Sequence, residues 1–394
     1  MLMLLLACVR PFDASDSSAP SDSSASSESL DSAADGPEDC TTEELGDGGE
    51  FFDVNTIREV RITLPESAFE ELDDDPKIYV EGDVVIDGTP FLHVGVRLKG
   101  HSSFEDFDGK PALKIKLNEY CVGQKYAGLK RITLNNMTSD PTQSQEILNY
   151  QLWSLAGLFG PRVSYAQVFV NEELYGLYAN VESVDDEWLE RTYSDPTGQL
   201  WEAADTAEFD DAGLVGWEMK SGLDDPSTLA AVAAAIAAPG DVYTNLNTVI
   251  DMEQFLSYWA WKAIIGDSDG YPWHLNDVFL YGDPELGGRF QFSPWGMDEA
   301  WKDYVNWDDA DGLLATVCLA EPACNARIHD RTEEALAAFE AMDPVGLISA
   351  AWALSEPVLV DDPRRSYTVA EVEAAREELA VEIAERAEDV RDDL

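Results

Sequence analysis

One short stretch of the sequence concentrates residues that could bind a metal ion and move a proton. The stretch DGYPWHLNDVFLYGDPELGGRFQFSPWGMDEAW (269–301) contains Asp269, Asn276, Asp277 and Asp298. Apolar runs over 278–281 and 289–292 predict the strands of a hairpin, which would bring both ends of the stretch to one place. Mg²⁺ binds carboxylate, phosphate and water oxygens, and phosphoryl transfer uses a further carboxylate to orient the attacking hydroxyl and accept its proton. Acids and an amide at the two ends of a hairpin are therefore what a metal-dependent phosphoryl-transfer site would need.

Other interpretations of these residues stay open. The chain has 78 acidic residues, so an acid–hairpin–acid pattern can also arise by chance. The runs DSDG (267–270) and DDADG (308–312) suggest a structural calcium site, although neither completes an EF-hand loop. Zinc is disfavoured, because there is no CxxC and the four histidines show no ligand spacing.

A second cluster follows a predicted strand, in the segment VRLKGHSSFEDFDGKPALKIKL (96–117). Gly100 to Ser103 form a small polar turn, and backbone N–H groups with the hydroxyls of Ser102 and Ser103 could bind a phosphate. Lys110, Lys114 and Lys116 come next and could neutralise it. The alternative is an exposed strand face balanced by nearby acids. There is no GxxxxGK loop and no GxSxG elbow, which excludes a Walker-type site and makes these serines poor hydrolase nucleophiles.

The negative charge of the chain is not confined to one tail. The net charge is −53 over 394 residues; residues 1–50 carry 12 acids and one base, and the rest carries 66 acids and 24 bases. Like charges repel, so we expect neither nucleic acid nor an anionic lipid surface as a partner. The charge suits solubility, a high-salt setting or polycationic partners.

The first residues resemble a bacterial lipoprotein signal. Residues 5–8 read LLAC, which resembles a lipobox whose cysteine becomes lipid-modified. The alternative is a chance apolar run, since it lacks basic residues and is shorter than a usual signal core. We expect a signal over 1–8, lipidation of Cys8 and a disordered Ser/Asp-rich tether over 9–50. The lipid would be the membrane anchor of an exported protein in the cell envelope.

The cysteines that remain favour disulfides. They are Cys40, Cys121, Cys318 and Cys324. An even number in an exported chain is typical of disulfide pairing. Cys318 and Cys324 could close a small loop, and Cys40 with Cys121 would then attach the tether to the domain. Three pairings are possible, and the sequence does not choose among them.

The order of predicted elements favours an α+β fold with two lobes. Alternating apolar residues and helical spacing predict strands over 57–64, 78–88, 91–100 and 110–117, a hairpin over 166–182, and helices over 142–160, 185–193, 228–238, 251–267, 331–342 and 368–390. Thr368 and Glu371 form a capping box for the last helix. We expect a β-rich N-lobe with one helix over 51–183 and a mostly helical C-lobe over 184–394. Ligand sites favour the cleft between such lobes.

Three segments, in this order, resemble the signature blocks of the CotH-type spore-coat kinase family. They read VRLKGHSSFEDFDGKPALKIKL, VFVNEELYGLYANVESVDDEWL and DGYPWHLNDVFLYGDPELGGRFQFSPWGMDEAW. The resemblance runs from about residue 55 to about residue 345, and the third block is the most specific. It implies an atypical protein-kinase-like fold that uses ATP and Mg²⁺ or Mn²⁺ to phosphorylate serine in secreted or coat proteins.

The resemblance also implies roles for single residues. Asp269 matches the catalytic-loop aspartate, and Asp298 matches the metal-binding aspartate after the hairpin. Asn276 matches a metal or substrate ligand, whereas Asp277 stands where many relatives have a second asparagine. The remaining matches concern nucleotide binding: Ser102 and Ser103 in a GHSS turn where relatives have GNSS, Lys110 and Lys114 after that turn, Glu146 as the helix acid that pairs with a lysine, and Glu182 near the hinge.

We therefore expect a monomeric, lipid-anchored kinase whose substrate is a secreted or surface protein. The rival hypothesis is a surface binding or adhesion protein that keeps the fold without transferring phosphate. Free ATP is scarce outside the cytoplasm, which favours the rival. The joint presence of Asp269, Asn276, Asp298 and the lysines favours the enzyme, because a binding module has no need to keep them together.

Overall fold

The first part of the fold is a closed barrel of seven strands. The computed structural model describes residues 40, 46–100, 103–204 and 206–394. The barrel strands are β1 (Ile57–Thr63), β2 (Val80–Ile86), β3 (Thr89–Lys99), β4 (Ala112–Lys116), β5 (Arg131–Asn135), β6 (Val163–Val170) and β7 (Glu173–Val181). They close in the order β1-β2-β3-β4-β5-β7-β6. The β1–β6 pair is parallel and the other pairs are antiparallel. Two helices are inserted: α1 (Glu66–Asp74) and α2 (Gln145–Leu155).

Alternation along the strands decides which side chains fill the barrel. On β4, Leu113 and Ile115 are fully buried, while Lys114 between them is partly exposed on the outer face. On β3, Leu98 is buried and Lys99 lies on the outer face, because neighbouring residues of a strand point to opposite sides. The lysines therefore lie outside the apolar interior of the barrel.

The second part is mostly helical, as expected, but it also contains a sheet. Its elements are α3 (Asp186–Thr192), β8 (Gln199–Ala203), β9 (Trp217–Ser221), α4 (Ser227–Ala237), α5 (Val242–Leu246), α6 (Met252–Ile264), β10 (Val278–Asp283), β11 (Arg289–Pro294), α7 (Leu313–Ala320), α8 (Pro322–Ala341), α9 (Pro344–Asp361) and α10 (Val369–Asp392). The predicted hairpin is β10–β11, and it joins β8 and β9 in a four-stranded sheet of order β11-β10-β8-β9. Of these elements, the sequence did not predict β8, β9, α5, α7 or α9. The capping box of Thr368 and Glu371 is present at the start of α10.

Helix α2 connects the barrel to the helical part. Its apolar residues Ile147, Leu148 and Trp153 are buried in the same core as residues of α6 and β11. The ring of Trp153 packs edge-on against Tyr258 of α6 at 5.5 Å between ring centres. A shared core of this kind resists separation of the two parts, because pulling α2 away would expose large aromatic surface.

The described residues form one compact unit with two disulfides. Cys40 is bonded to Cys121, and Cys318 to Cys324, which is one of the three pairings considered above. Residues 46–50, at the end of the predicted tether, pack on the barrel, where Gly48 is buried beside Leu129. Among the described residues, no helix combines the length and apolarity needed to cross a bilayer. The predicted α+β fold is confirmed.

A buried ion pair fastens the barrel to the segment after α9. Lys110 Nζ lies 2.8 Å from Asp362 Oδ2, and both side chains are at most 1% exposed. Replacing Lys110 by methionine leaves the carboxylate buried without its cation, so we expect Lys110→Met to lower the free energy of unfolding by about 3–5 kcal/mol. Denaturant unfolding measures this loss.

The matched control is Lys77→Met, since Lys77 is exposed, and its effect should stay within about 0.5 kcal/mol. A Lys110→Met protein as stable as the control, but defective in ATP binding, would contradict a structural role for Lys110.

Candidate functional site

A row of carboxylates lies where the β10–β11 hairpin opens toward α2. Burial and then the charge of Asp269 raise the pKa of Asp277 well above its ordinary value. Burial, Glu146 and Asp277 raise the pKa of Asp298 in the same way. Burial also raises the pKa of Glu146. Raised values of this kind mean that the carboxylates are withdrawn from water and close enough to repel one another.

The hairpin brings Asp277 and Asp298 to the same end. Val278 pairs with Pro294, and the backbone N–H of Trp295 donates to the carbonyl of Asp277 at 3.0 Å. The chain then turns at Gly296, whose φ is +59°. A side chain there would collide with the carboxylate of Asp277. The missing side chain thus makes room for an acid directly beneath the loop that carries Asp298.

Helix α2 holds the loop that carries Asp298. Asn149 donates its amide N–H to the carbonyl of Met297 at 2.8 Å, and Gln145 accepts from the backbone N–H of Ala300 at 2.9 Å. These two bonds fix the backbone on both sides of Asp298. Because Glu146 lies on the same helix, the helix also sets the separation between Glu146 and Asp298.

A buried lysine positions the loop that carries Asp269. Lys262, on the last turn of α6, and Asp267 are both 0% exposed, and Nζ lies 2.5 Å from Oδ2. The other oxygen of Asp267 accepts the backbone N–H of Asp269 at 3.0 Å. Gly270 lies against this pair, since a Cβ there would be 2.6 Å from Lys262 Nζ. The charge of Lys262 also acts on Asp277 and opposes the rise in its pKa.

Asn276 lies against Asp269 rather than against Asp298. Its amide Nδ2 donates to Asp269 Oδ1 at 2.9 Å. Asp269 keeps 36% of its side chain exposed, and His274 Nδ1 lies 3.7 Å from the same oxygen. Asp277 also hydrogen-bonds the side chain of Asp269, and its charge acts on Asp298 after that of Glu146. The structure therefore places both Asn276 and Asp277 against the predicted base Asp269, and the charge of Asp277 also reaches the predicted metal ligand Asp298.

A lysine that the sequence analysis did not select reaches this row of acids. Lys99, the last residue of β3, donates to Asn135 Oδ1, and Asn135 Nδ2 donates to both oxygens of Glu146 at 2.8 and 2.9 Å. Burial lowers the pKa of Lys99, while the charges of Glu146, Asp298 and Asp277 oppose that shift. The signal was present in VRLKG, where alternation along the strand places Lys99 on the outer face just before the Gly100 turn.

The other predicted nucleotide residues have different surroundings. Lys114 lies near Lys99, and burial followed by the charges of Lys99 and Arg97 lowers its pKa to about 8. Lys110 is bound to Asp362 and does not join the row of acids. Glu182 is 2% exposed and bridges Arg162 and Arg191, each at 2.7 Å. The carbonyl of Ser103 accepts a bond from Asn136 at 3.3 Å. Ser102 and Cys8 lie outside the described residues.

The donor set suits a hard divalent cation bound together with phosphate. Asp277 and Asp298 supply carboxylate oxygens from half-buried positions. The buried hydroxyls of Tyr150 and Tyr258 have no partner among the described residues, and the charge of Asp277 acts on both. Such hydroxyls can bind the water that accompanies a cation. Mg²⁺ is usually held by one or two carboxylates, phosphate and water, which is what these residues could provide.

A calcium site of protein ligands alone is less well supported. Within the described ranges, the one group of three acidic or histidine residues whose ligand atoms lie within 4.8 Å of one another is His329, Asp330 and Glu333. That group lies on α8, and none of its members belongs to either acidic run singled out in the sequence. His329 Nε2 is already 3.2 Å from the carbonyl of Leu394.

The crowded acids predict a stability that depends on pH and metal. A carboxyl whose pKa is raised by folding costs no stability at pH values below its ordinary pKa. The free energy of unfolding then falls as pH rises above that ordinary pKa and through the raised pKa of the folded protein. We therefore expect Asp298→Asn to raise the melting temperature of the metal-free protein at pH 8 more than at pH 4. The shift should be about 2–4 °C for each kcal/mol of repulsion removed.

The same variant should lose the stabilisation that Mn²⁺ with ATP gives the wild type, because bound ligand stabilises only the state that binds it. Asp309→Asn, at an exposed acid, is the control and should leave both quantities unchanged. A melting temperature of Asp298→Asn that rises with Mn²⁺ and ATP as in the wild type would remove Asp298 from the site.

Comparisons with known proteins identify the family of the chain. The family model described as "CotH kinase protein" matches residues 96–390. The inner spore coat protein H of Bacillus subtilis (strain 168) is 23% identical over 309 residues, covering 68% of this chain and 80% of that protein.

Two solved structures show looser likeness, each at 12% sequence identity. The HipA–HipB toxin–antitoxin complex with operator DNA from Shewanella oneidensis MR-1 has a TM-score of 0.39, with 84% of this chain and 74% of that chain covered. The Helicobacter pylori proinflammatory kinase CtkA has a TM-score of 0.32, with 71% and 91% covered. TM-scores this low add no weight, and the assignment rests on the family match. By that match, which spans most of the chain and includes the carboxylate row, the protein belongs to the CotH kinase family.

Proposed function

We propose that this protein transfers the terminal phosphate of ATP to serine hydroxyls of secreted or surface proteins, with Mg²⁺ or Mn²⁺. The observation that supports it most is the convergence of Lys99, Glu146, Asp269, Asp277 and Asp298 at the open end of the hairpin. Kinase chemistry needs cations on the phosphates, carboxylates on a metal and one carboxylate near the attacking hydroxyl. Membership of a kinase family supports the use of ATP and a divalent metal in general terms.

In this proposal the lysines bind the phosphates. Lys99 approaches the acids from the barrel, and Lys114 lies beside it. Asn135 keeps Lys99 oriented by accepting from its ammonium while donating to Glu146. The two lysines repel each other, as the lowered pKa of Lys114 reflects, so an anion between them would be stabilised by both.

Asp298 and Asp277 would hold the metal. A bound divalent cation would neutralise charge on the phosphates and on the two aspartates at once. The residues themselves are pre-arranged for this, since α2 fixes the Asp298 loop and Gly296 gives room to the Asp277 carboxylate. Pre-arrangement matters because a site that must reorganise on binding loses affinity to that cost.

Asp269 would orient the serine hydroxyl and take its proton as the Oγ–phosphorus bond forms. One of its oxygens accepts from Asn276, while the side chain remains partly exposed to an incoming hydroxyl. Lys262 and Asp267 hold its backbone from beneath. Removing a proton acceptor affects the transition state more than the ground state.

We therefore predict that Asp269→Asn keeps ATP affinity within a few-fold while phosphate transfer falls by about 10²-fold or more. Lys99→Met should instead weaken ATP binding. Transfer from labelled ATP to the protein itself and to a serine-containing acceptor, with Mn²⁺ or Mg²⁺, measures the rate, and calorimetry measures the affinity. Asp309→Asn serves as the control.

The outcomes separate the two hypotheses. Wild-type protein that binds ATP yet transfers nothing to itself, water or a serine acceptor would favour the binding or adhesion protein. A mild effect of Asp269→Asn on an active wild type would leave Asp269 as a loop residue, because asparagine can still accept a cap hydrogen bond.

We also propose that the chain is exported and anchored by lipid on Cys8. The two disulfides support an oxidising location, since such bonds are rare in the cytosol. Mass spectrometry of membrane-extracted protein should find a diacylglycerol adduct on Cys8 as the first residue. Recovery of a soluble chain with an unmodified Met1 would refute the anchor.

A further inference from the structure

The segment between α9 and α10 reaches across to the barrel, and the part that contacts it is called here the α9–α10 clamp (residues 362–364). Its Asp362 is fully buried; Oδ2 accepts from Lys110 Nζ at 2.8 Å and from the backbone N–H of Leu177 at 2.9 Å. The other oxygen accepts from the backbone N–H of Arg364 at 2.8 Å. At Gly176 any side chain would overlap the Asp362 carboxyl, so β7 is shaped to admit it.

Arg364 holds a loop of the barrel, residues 103–110. Its Nη1 donates to three successive carbonyls, those of Phe107 at 2.9 Å, Asp108 at 3.2 Å and Gly109 at 2.6 Å. Its guanidinium also stacks over the ring of Tyr175 at 3.8 Å. Three consecutive carbonyls can meet one guanidinium only when the 103–110 loop is curled around it, so the arginine selects that conformation.

The 103–110 loop is also held by Asn136, which lies next to the residue that binds Lys99. Asn136 donates to the carbonyls of Ser103 at 3.3 Å and Lys110 at 2.8 Å, which closes the two ends of the loop. The preceding residue, Asn135, is the one that joins Lys99 to Glu146. Because Lys99 pairs with Ala112 across β3 and β4, the loop lies directly beyond Lys99.

We propose that Asp362 and Arg364 are positioning residues for nucleotide binding, which act by holding the 103–110 loop beside Lys99. Their recorded contacts with the barrel are to Lys110, the backbone of Leu177, Glu173 and Tyr175 on β7, and the loop carbonyls, and they do not include Lys99 or the row of carboxylates. The proposal rests on the proposed ATP site. It gives the C-terminal helices a direct mechanical connection to that site and gives Lys110 a role in the nucleotide region without contact with the nucleotide.

The test compares Arg364→Met with Arg365→Met in the full chain. Arg365 is a matched control, because the carbonyls to which its side chain donates among the described residues, those of Val360 and Asp362, belong neither to the barrel nor to the 103–110 loop. Hydrogen–deuterium exchange reports on the 103–110 loop, and calorimetry with Mg²⁺ and a non-hydrolysable ATP analogue reports on affinity. If the held conformation falls to about a tenth of the population, the apparent Kd rises about tenfold.

In Arg364→Met we expect faster exchange of the 103–110 amides and a higher Kd for the ATP analogue. Arg365→Met should show neither change, and both variants should melt close to the wild-type temperature. If Arg364→Met does not fold, Arg364→Lys decides, because a lysine keeps the charge but lacks the planar fork of donors.

Unchanged exchange in the arginine variants would overturn the clamp. Faster exchange with an unchanged Kd would overturn its positioning role. If the wild type binds no nucleotide, the proposed function fails, and the exchange result still decides whether Arg364 holds the loop.

Discussion

The carboxylates of the half-buried row at the open end of the β10–β11 hairpin repel one another, and the surrounding structure holds them together. Beyond the effect of burial, the charge of Asp269 raises the pKa of Asp277, and the charges of Glu146 and Asp277 raise the pKa of Asp298. Two lysines oppose this repulsion from different sides: Lys262 from beneath the Asp269 loop and Lys99 from the barrel. This repulsion lowers the stability of the fold unless a cation binds to the carboxylates. Functional sites commonly reduce stability in this way.

Helix α2 and the end of strand β5 connect the barrel and the helical part to this row of carboxylates. Helix α2 shares its apolar face with α6 and β11, and its polar residues hold the Asp298 loop. On the barrel side, the consecutive residues Asn135 and Asn136 serve the lysine and the 103–110 loop, respectively. Asn135 is the last residue of β5 and Asn136 follows it directly, so the end of this strand contacts both. The geometry of the site therefore depends on how these elements pack together.

Local patterns in the sequence were enough to predict the β10–β11 hairpin and the barrel strands with clear alternation. They indicated Asn276 and Asp298 as metal ligands, whereas the acids whose charges act on Asp298 are Glu146 and Asp277. They led to the choice of Lys110 and not of Lys99, which lies at the other end of the same loop. Alternation places Lys99 on the outer face of β3, but Lys110 comes before β4 begins, where the period of two gives no direction. Its partner Asp362 is 252 residues away, and only tertiary packing brings the two together. The strands β8 and β9 were missed because each is only five residues long, and α9 contains an interior proline, Pro357, that weakens the helical signal.

The most direct measurement of the central claim is a crystal structure of the protein with Mn²⁺ and a non-hydrolysable ATP analogue, using the anomalous scattering of manganese to locate the ion. We predict a manganese peak bound by Asp298 and Asp277 at the open end of the hairpin, with the analogue's phosphates beside Lys99. A manganese peak found only at His329, Asp330 and Glu333, or phosphates bound away from Lys99, would contradict that claim.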